Sequence, residues 1–179
     1  MNKRIVLFIT CVLVFCSLSY ADYWNANAIK MGNFGVHIEV RMDADMYYKH
    51  VHFDWHYKLG RDWTLTLSER ESYIKKTEWK VEHKPMLNLT YVNGIFKNRA
   101  RVTLRIKEGQ DIWRIRNKVT LARAFWFVAF ESFYEKGRLF RNRYYIGVNV
   151  SKSFSVFILR QHTNNKGLWV IGTTLTARI

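Results

Sequence analysis

Cysteine and proline are nearly absent from this chain of 179 residues, which contains two cysteines and one proline. Both cysteines, Cys11 and Cys16, lie within the first 21 residues. Residues 22–179 therefore contain no thiol, which excludes a disulfide framework and a cysteine-ligated metal from that part of the chain. No run rich in glycine, serine or proline indicates a linker, so the sequence predicts one domain.

Acidic residues are also scarce, with 14 Asp and Glu against 29 Lys and Arg and a formal net charge of +15. An excess of this size often indicates a nucleic-acid partner or an anionic surface. A binder of single-stranded nucleic acid carries aromatic and cationic side chains on one exposed face. In this sequence they alternate onto opposite faces, so we predict no nucleic-acid partner.

The sequence has no apolar run of the ~20 residues that a transmembrane helix requires. The run IVLFITCVLVF follows the basic start MNKR and has the length of the core of a secretory signal peptide. Ser19 and Ala21 are the small residues expected just before a cleavage site. We predict that residues 1–21 are a cleaved signal peptide, that 22–32 are an N-terminal segment and that 33–179 form the folded domain.

What the sequence contains instead is alternation with a period of two, which is typical of β-strands. In VHFDWHYKL, for example, Val51 and Phe53 alternate with His52 and Asp54. Turn residues separate the alternating runs, so consecutive strands are expected to pair antiparallel. The pattern predicts strands near residues 33–42, 47–59, 63–74, 78–91, 95–106, 112–121, 125–134, 140–150, 154–161 and 168–179.

Two architectures fit such a series of strands. In a soluble barrel that carries an apolar ligand, as in lipocalins, the apolar row faces the interior; in an outer-membrane barrel it faces lipid. Strands of about 10–13 residues are long for a soluble protein, but at a tilt of ~45° they cross an apolar layer of ~25 Å. Aromatic residues near the strand ends suit interfacial girdles: Trp55, Tyr57, Trp63, Trp79, Tyr91, Phe96, Trp113, Trp126 and Trp169.

The sequence therefore predicts an all-β fold, a closed antiparallel transmembrane β-barrel of about ten strands in a bacterial outer membrane. Its partners would be outer-membrane lipid and, during insertion, the barrel-assembly machinery. A secreted soluble barrel that binds an apolar ligand is the alternative. By strict counting Glu69, Glu71 and His83 fall on the lipid-facing row, which a bulge near Pro85 or strands extending beyond the membrane would explain.

Charged residues of both signs fall on the predicted interior rows. Folding each hairpin about its turn places Glu82 opposite Arg70 and Arg105, and it places Glu131 opposite two further arginines. A carboxylate between two guanidinium groups stabilises their arrangement because paired charges tolerate poor solvation. We predict an interior charge network of Arg70, Glu82, Arg105, Arg114, Arg116, Lys118, Glu131 and Arg143, in which Arg116 and Arg143 face Glu131.

Several segments resemble the domain of unknown function 2490 family: YYKHVHFDWHYKLGRDWTLTL, EHKPMLNLTY, WRIRNKVTL, FVAFESFY and FRNRYYIGVNVSKSFSVFILRQ. The similarity extends over residues 33–179, and its most specific feature is the order RNK, then a glutamate, then RNR. The resemblance implies a small bacterial outer-membrane β-barrel of undetermined role. The residues at the family's motif positions are Arg116, Asn117, Lys118, Glu131, Arg141, Asn142 and Arg143, together with Lys84 before Pro85.

Histidines provide weak candidates for a metal site. A hairpin at 43–45 places His37 opposite His52 and Glu39 opposite His50, and two or three imidazoles with a carboxylate can bind Zn²⁺. No HExxH motif or histidine-rich tract accompanies them. Ordinary polar groups that fill the barrel are the simpler interpretation, so we predict neither a metal nor another cofactor.

Catalytic chemistry is not indicated either. A barrel hydrolase is a minor alternative, because possible nucleophiles, bases and an orienting carboxylate lie on neighbouring predicted strands: Ser68, Ser72, His50, His52 and Asp54. The chain has no G-x-S-x-G motif. About ten strands give a bore that side chains mostly fill. We predict that the protein is not an enzyme and that its role is structural, or the narrow passage of a solute or anion through a polar, cationic interior.

Overall fold

The computed structural model describes residues 22–42, 46–75, 77–107, 110–164 and 166–178. The predicted signal peptide, residues 1–21, and the predicted turn at 43–45 lie outside the described residues. Every helix or strand assigned in the described part of the chain is a β-strand. Among the same residues, no helix is long and apolar enough to cross a membrane.

Eleven strands make up the described part of the chain. They are β1 (Asp22–Met31), β2 (Phe34–Met42), β3 (Met46–Lys58), β4 (Trp63–Lys75), β5 (Trp79–Asn93), β6 (Phe96–Lys107), β7 (Gln110–Ala122), β8 (Trp126–Glu135), β9 (Arg138–Asn149), β10 (Phe154–Thr163) and β11 (Lys166–Arg178). Each strand is hydrogen-bonded to the next, and β1 also pairs with β11, so the sheet closes into a barrel. The prediction of an all-β closed barrel of about ten strands is confirmed.

β1 was not predicted, and it occupies the segment expected to precede the barrel. Asn25 and Asn27 interrupt the row that carries Tyr23 and Ile29, so the strand lacks a continuous apolar face. β1 pairs antiparallel with β2 but parallel with β11. An odd number of strands in an up-and-down barrel requires one such parallel pair, so the expectation of antiparallel pairing throughout is wrong at this seam.

The connections between strands lie at two ends of the barrel. We call end A the end that holds the connections after β1, β3, β5, β7 and β9, and end B the opposite end, where β1 begins. At end A, backbone hydrogen bonds join successive hairpins. The Val92 N–H donates to the Asp62 carbonyl and the Ala122 N–H to the Ile95 carbonyl, each over 2.9 Å. The rim at end A is therefore continuous from one hairpin to the next.

The two faces of the barrel wall differ strongly in polarity. On β3, the outward Phe53 and Trp55 are 56% and 53% exposed, whereas His52 and Asp54 between them are 5% and 8% exposed. The prediction that the apolar row of this strand faces outwards and its polar row inwards is confirmed. Large apolar side chains lie on the outside along most of the wall, and most of the buried side chains are polar or charged.

A small apolar cluster lies inside the barrel near the seam between β1 and β11. Its buried members are Trp24, Phe157, Leu159 and Val170. The ring of Phe157 lies over Gly172 on the neighbouring strand, where an added Cβ would overlap the phenylalanine Cζ. The absence of a side chain at Gly172 therefore makes room for this aromatic ring.

Polar residues interrupt the outer apolar belt on β4 and β5. Glu69 and His83 are exposed, and Glu71 is half-buried on the same face. The pairing of β4 with β5 shows no register shift along its length, and the described pairing of β5 with β6 shows none beside Pro85. The bulge considered near Pro85 is therefore wrong, and these three side chains do lie on the outer face.

Candidate functional site

Two cavities of about 230 and 280 Å³ lie inside the barrel. We call them the B chamber and the A chamber, after the end of the barrel that each is nearer to. They meet at a layer of side chains that line both cavities, and its arginines are Arg41, Arg70, Arg101, Arg116 and Arg143. Any solute that moved along the barrel would pass this layer of guanidinium groups.

The B chamber is the more cationic of the two. Nine of its fifteen described lining residues are arginine or lysine, and Glu82 is the only acid among them. The A chamber has a more mixed lining, with Glu39, Asp54 and Glu131 as well as cations and aromatic rings. Both chambers are therefore lined by charged groups, and the positive charge is densest towards end B.

Glu131 on β8 lies at the centre of one group of cations. Its side chain is 1% exposed, and Arg116 Nε lies 2.8 Å from Oε1, in the geometry of an ion pair rather than of a hydrogen bond. Arg143 Nη1 lies 3.5 Å from Oε2, and Arg99 Nη2 lies 3.8 Å from Oε1. The Tyr145 hydroxyl donates a hydrogen bond to Oε2 over 2.7 Å. The predicted contacts of Glu131 with Arg116 and Arg143 are present.

The strand register around Glu131 differs from the predicted one. Lys118 lies directly opposite Glu131, whereas Arg116 lies opposite Phe133 and reaches the carboxylate diagonally. The predicted pairing of β7 with β8 is therefore wrong by two residues. The Lys118 ammonium lies 3.9 Å from the centroid of the Tyr145 ring, so the aromatic face also contacts this cation.

A second group of charges surrounds Glu82 on β5. Lys84 Nζ lies 2.7 Å from its carboxylate, and Arg105 Nη2 donates to both oxygens over 2.8 and 3.0 Å. In the sheet, Glu82 lies opposite Ser72, and Arg70 lies opposite Lys84. Glu82 contacts Arg105, but neither predicted placement directly opposite Glu82 is right. Both registers differ from the predicted ones by two residues, since Ile106 lies opposite His83 and Ser72 lies opposite Glu82.

Arg114, the remaining member of the predicted network, contacts a carboxylate that the prediction omitted. Its Nη2 donates to Glu135 Oε2 over 2.5 Å, and Arg105 Nη1 lies 3.6 Å from the same oxygen. Glu135 was overlooked because it stands beside the turn that ends β8. Strand parity would also have included other interior charges that the predicted network omitted, among them Arg41, Lys84, Arg99, Arg101, Glu135 and Arg141.

The histidine cluster forms with a different carboxylate from the one expected. His37 and His52 stack with ring centroids 4.4 Å apart, and they lie opposite each other as predicted. Their Nε2 atoms lie 3.9 and 3.3 Å from Asp54 Oδ2, so these three donors lie within 4.8 Å of one another. The predicted Glu39 instead contacts Arg41 at 2.6 Å. Asp54 could have been identified from the sequence, because it lies on the same inward row of β3 as His52.

The surroundings of this cluster do not favour a bound cation. Arg70 Nη2 lies 3.4 Å from His52 Nδ1, and His50 Nε2 lies 3.2 Å from the same nitrogen. A nearby guanidinium repels a divalent metal, and the A chamber beside the cluster carries further arginines. The donor set has the chemistry of a zinc site, but its electrostatic environment opposes one.

The serines considered for a hydrolase do not contact an imidazole in the described hydrogen bonds. Ser68 Oγ donates to Asp54 and accepts from the Asn88 amide over 3.2 Å. Ser72 Oγ lies 3.2 Å from the Tyr48 hydroxyl. An activated serine needs a base within hydrogen-bond reach. Among the described contacts the only base beside Ser68 is the Asp54 carboxylate, without an imidazole, and Ser72 has only the Tyr48 hydroxyl.

Comparisons of the chain with protein-family models, with curated proteins and with solved structures found no match. The resemblance to the domain of unknown function 2490 family therefore has no support either way and stays a prediction. What the protein does has to be inferred from its barrel and from the charges inside it.

Proposed function

We propose that this protein is a small, non-catalytic β-barrel of a bacterial outer membrane, surrounded by lipid, with a structural role or a role in the narrow passage of anions. The observation that carries this proposal is the polarity of the wall. Phe53 and Trp113 on the outside are 56% and 62% exposed, whereas Glu131 and Arg143 inside are 1% and 4% exposed. Soluble monomers rarely expose apolar patches larger than a few hundred Å², but lipid requires such a surface.

Aromatic side chains and strand lengths also support insertion. Exposed aromatic residues lie near end A, such as Trp55 and Trp63, and near end B, such as Trp113 and Trp169. Such residues stabilise a barrel at the two membrane interfaces. The strands contain 9 to 15 residues, and a tilted strand needs about 9–11 to cross a membrane. We attribute the outer polar residues of β4 and β5 to strands that extend beyond the lipid.

An anion passage is supported by the order of the cavities. A third cavity of about 210 Å³ lies next to the A chamber towards end A, and Lys97, Arg99 and Lys118 contribute to its lining. Arg99 and Lys118 also line the A chamber. Cationic side chains therefore follow one another from end B to end A. Because side chains fill most of the bore, only small anions would pass.

The alternative, a secreted barrel that binds an apolar ligand, has less support. Such a barrel would need an apolar chamber. Of the apolar cluster, Trp24 and Phe157 line the A chamber, but they do so among many charged and polar residues. Both chambers are lined largely by charged and polar groups. In water, this barrel would also leave its outer apolar belt unburied.

Membrane insertion can be tested with the purified protein. After refolding in the presence of lipid vesicles, we expect the protein to float with the vesicles and to change its mobility on an electrophoresis gel when it is boiled. A closed barrel in lipid resists detergent until it is heated, whereas boiling unfolds it. Protein that stays in the aqueous fraction and migrates equally with and without boiling would support the soluble alternative.

A matched pair of arginine substitutions tests the depth of the lipid. Val102 lies in the middle of β6 on the outer face, and Ile95 lies at the rim of end A; both are exposed apolar residues. Val102→Arg should reduce the free energy of unfolding in bilayers by about 2–4 kcal/mol and Ile95→Arg by about 0–1 kcal/mol. Similar small losses for both variants would contradict lipid burial of Val102.

A further inference from the structure

The cationic lining of the B chamber is only partly balanced by carboxylates. Glu39, Glu82, Glu131 and Glu135 contact several of its arginines and lysines. Three arginines that line the chamber, Arg70, Arg101 and Arg141, have no described carboxylate within 4.0 Å. Unpaired charge in a poorly solvated interior is unfavourable. A bound anion would offset this cost for these three guanidinium groups.

Arg101 is the most constrained of the three. Its side chain is 6% exposed; Nε donates to the side-chain amide oxygen Oδ1 of Asn88, and Nη1 is buried without a hydrogen-bond partner. On the neighbouring strand Arg116 lies directly opposite. Like charges in directly opposite positions of a sheet repel each other. The described wall therefore gives Arg101 one neutral acceptor and one repelling neighbour.

Arg70 and Arg141 have the same deficit. Arg70 Nε is buried without a hydrogen-bond partner, and Lys84 lies opposite it in the sheet. Arg141 Nε donates to Thr163 Oγ1 over 3.0 Å, and its guanidinium carbon lies 5.3 Å from the Phe140 ring centroid. Contact with an aromatic face leaves the N–H edge of a guanidinium group available to an acceptor.

We propose that the B chamber is a binding site for a phosphate-type oxyanion, held by Arg70, Arg101 and Arg141. Guanidinium groups present planar pairs of donors that match the oxygens of phosphate. Chloride has no such pair of acceptor oxygens. The volume of about 230 Å³ exceeds the ~30 Å³ that one water occupies in the liquid, so a tetrahedral oxyanion fits with water around it. Lys84 and Arg105 engage the nearby carboxylate of Glu82.

This site extends the proposed role in anion passage by naming the class of anion. Binding at the site nevertheless requires only a folded barrel. It also has a consequence for stability that a purely structural arginine would not have. In the absence of an anion, Arg101 faces the repulsion of Arg116, so its replacement should stabilise the empty barrel while weakening binding. Groups retained for binding at the expense of stability show this opposition.

Calorimetric titration of the protein, refolded in detergent micelles at fixed ionic strength, tests the site. Inorganic phosphate should bind saturably to the wild-type protein and raise its unfolding midpoint, and chloride should do neither. Arg101→Gln should weaken phosphate binding about tenfold or more, because a hydrogen bond to a charged group contributes that much. Arg160→Gln is the matched control, since this arginine lies over Trp169 on the outer face.

Two further results complete the test. In phosphate-free buffer, Arg101→Gln should unfold at a higher temperature than wild type. Should that variant fail to fold, Arg70→Gln and Arg141→Gln are titrated in its place, and each should weaken binding. Glycerol phosphate binding as tightly as inorganic phosphate would assign the site to a phosphate group on a larger solute, and weaker binding would assign it to the free ion; both support the proposal.

The proposal is overturned if phosphate fails to bind saturably or binds no better than chloride. It is also overturned if the glutamine variants of Arg70, Arg101 and Arg141 bind phosphate as tightly as wild type. The boiling-dependent shift in gel mobility shows that each variant is folded. A folded protein that binds phosphate but does not float with vesicles would refute the membrane proposal alone. A protein that inserts but binds no phosphate would refute this inference alone.

Discussion

Glu131 is the least exposed carboxylate among the described residues. Arg99, Arg116 and Arg143 each place a nitrogen within 3.8 Å of its oxygens, and Tyr145 donates a hydrogen bond to it. A single negative charge therefore offsets the mutual repulsion of several positive ones. Because its partners come from β6, β7 and β9, Glu131 also joins strands on both sides of β8.

Replacing Glu131 should matter more than replacing either predicted partner. Glu131→Gln leaves three cations without a nearby anion, and breaking a buried pair can cost about 3–5 kcal/mol, less where water enters. Arg116→Gln leaves the carboxylate with two cations, so we expect a smaller decrease in the thermal unfolding midpoint. Circular dichroism of the refolded variants measures both. An equal or larger decrease for Arg116→Gln would contradict the central role of Glu131.

At the histidine cluster we expect no zinc to be retained. His37, His52 and Asp54 provide three donors, but Arg70 lies 3.4 Å from His52 and opposes a divalent cation. Elemental analysis after exposure to zinc and desalting should find well below one zinc per chain. One zinc per chain, lost in Asp54→Asn, would show that the cluster binds metal in spite of the arginine.

Among the strands, the contact of β10 with β11 depends on a glycine. Phe157 is buried, and its ring fills the space above Gly172. Gly172→Ala should lower the free energy of unfolding by about 1–3 kcal/mol because an added methyl overpacks this space. Gly35→Ala is the control, since its Cβ would lie 3.4 Å from the nearest atom. Equal stability of the two variants, measured by denaturant unfolding, would show that Phe157 moves freely.

The whole barrel is closed by β1, which sequence analysis did not recognise as a strand. Its Trp24 lies in the apolar cluster, and the guanidinium groups of Arg41 and Arg143 lie 3.9 and 4.7 Å from the tryptophan ring centroid. Removing β1 would expose the edges of β2 and β11, and exposed edges favour aggregation. β1 is therefore required to close the barrel and is not an appendage to a ten-stranded one.

Deletion of residues 22–31 tests this role. We expect the shortened protein to lose the boiling-dependent mobility shift, because the wall is open and the cluster around Trp24 is incomplete. Trp24→Ala, which keeps the strand, should lower the unfolding temperature and retain the shift. Since β2 and β11 run in opposite directions, a shortened protein that still shifts would have closed them as an antiparallel pair.

Much of the architecture could be predicted from the sequence because it depends on a property of the backbone. Successive side chains of a strand point to opposite faces, so VHFDWHYKL by itself determines that Phe53 and His52 lie on different sides of the wall. The same alternation determined that Glu131, Arg116 and Arg143 share the interior. It could not reveal β1, where Asn25 and Asn27 break the pattern.

The tertiary structure decided which interior residues meet. Shifting a pair of strands by two residues leaves every side chain on its own face, so alternation cannot distinguish Arg116 from Lys118 as the residue opposite Glu131. It also cannot determine whether a closing strand pairs parallel or antiparallel. Arg70, Arg101 and Arg141 line one chamber, and none of them has a described carboxylate within 4.0 Å. They come from strands far apart in the sequence, and only closure of the barrel brings them together.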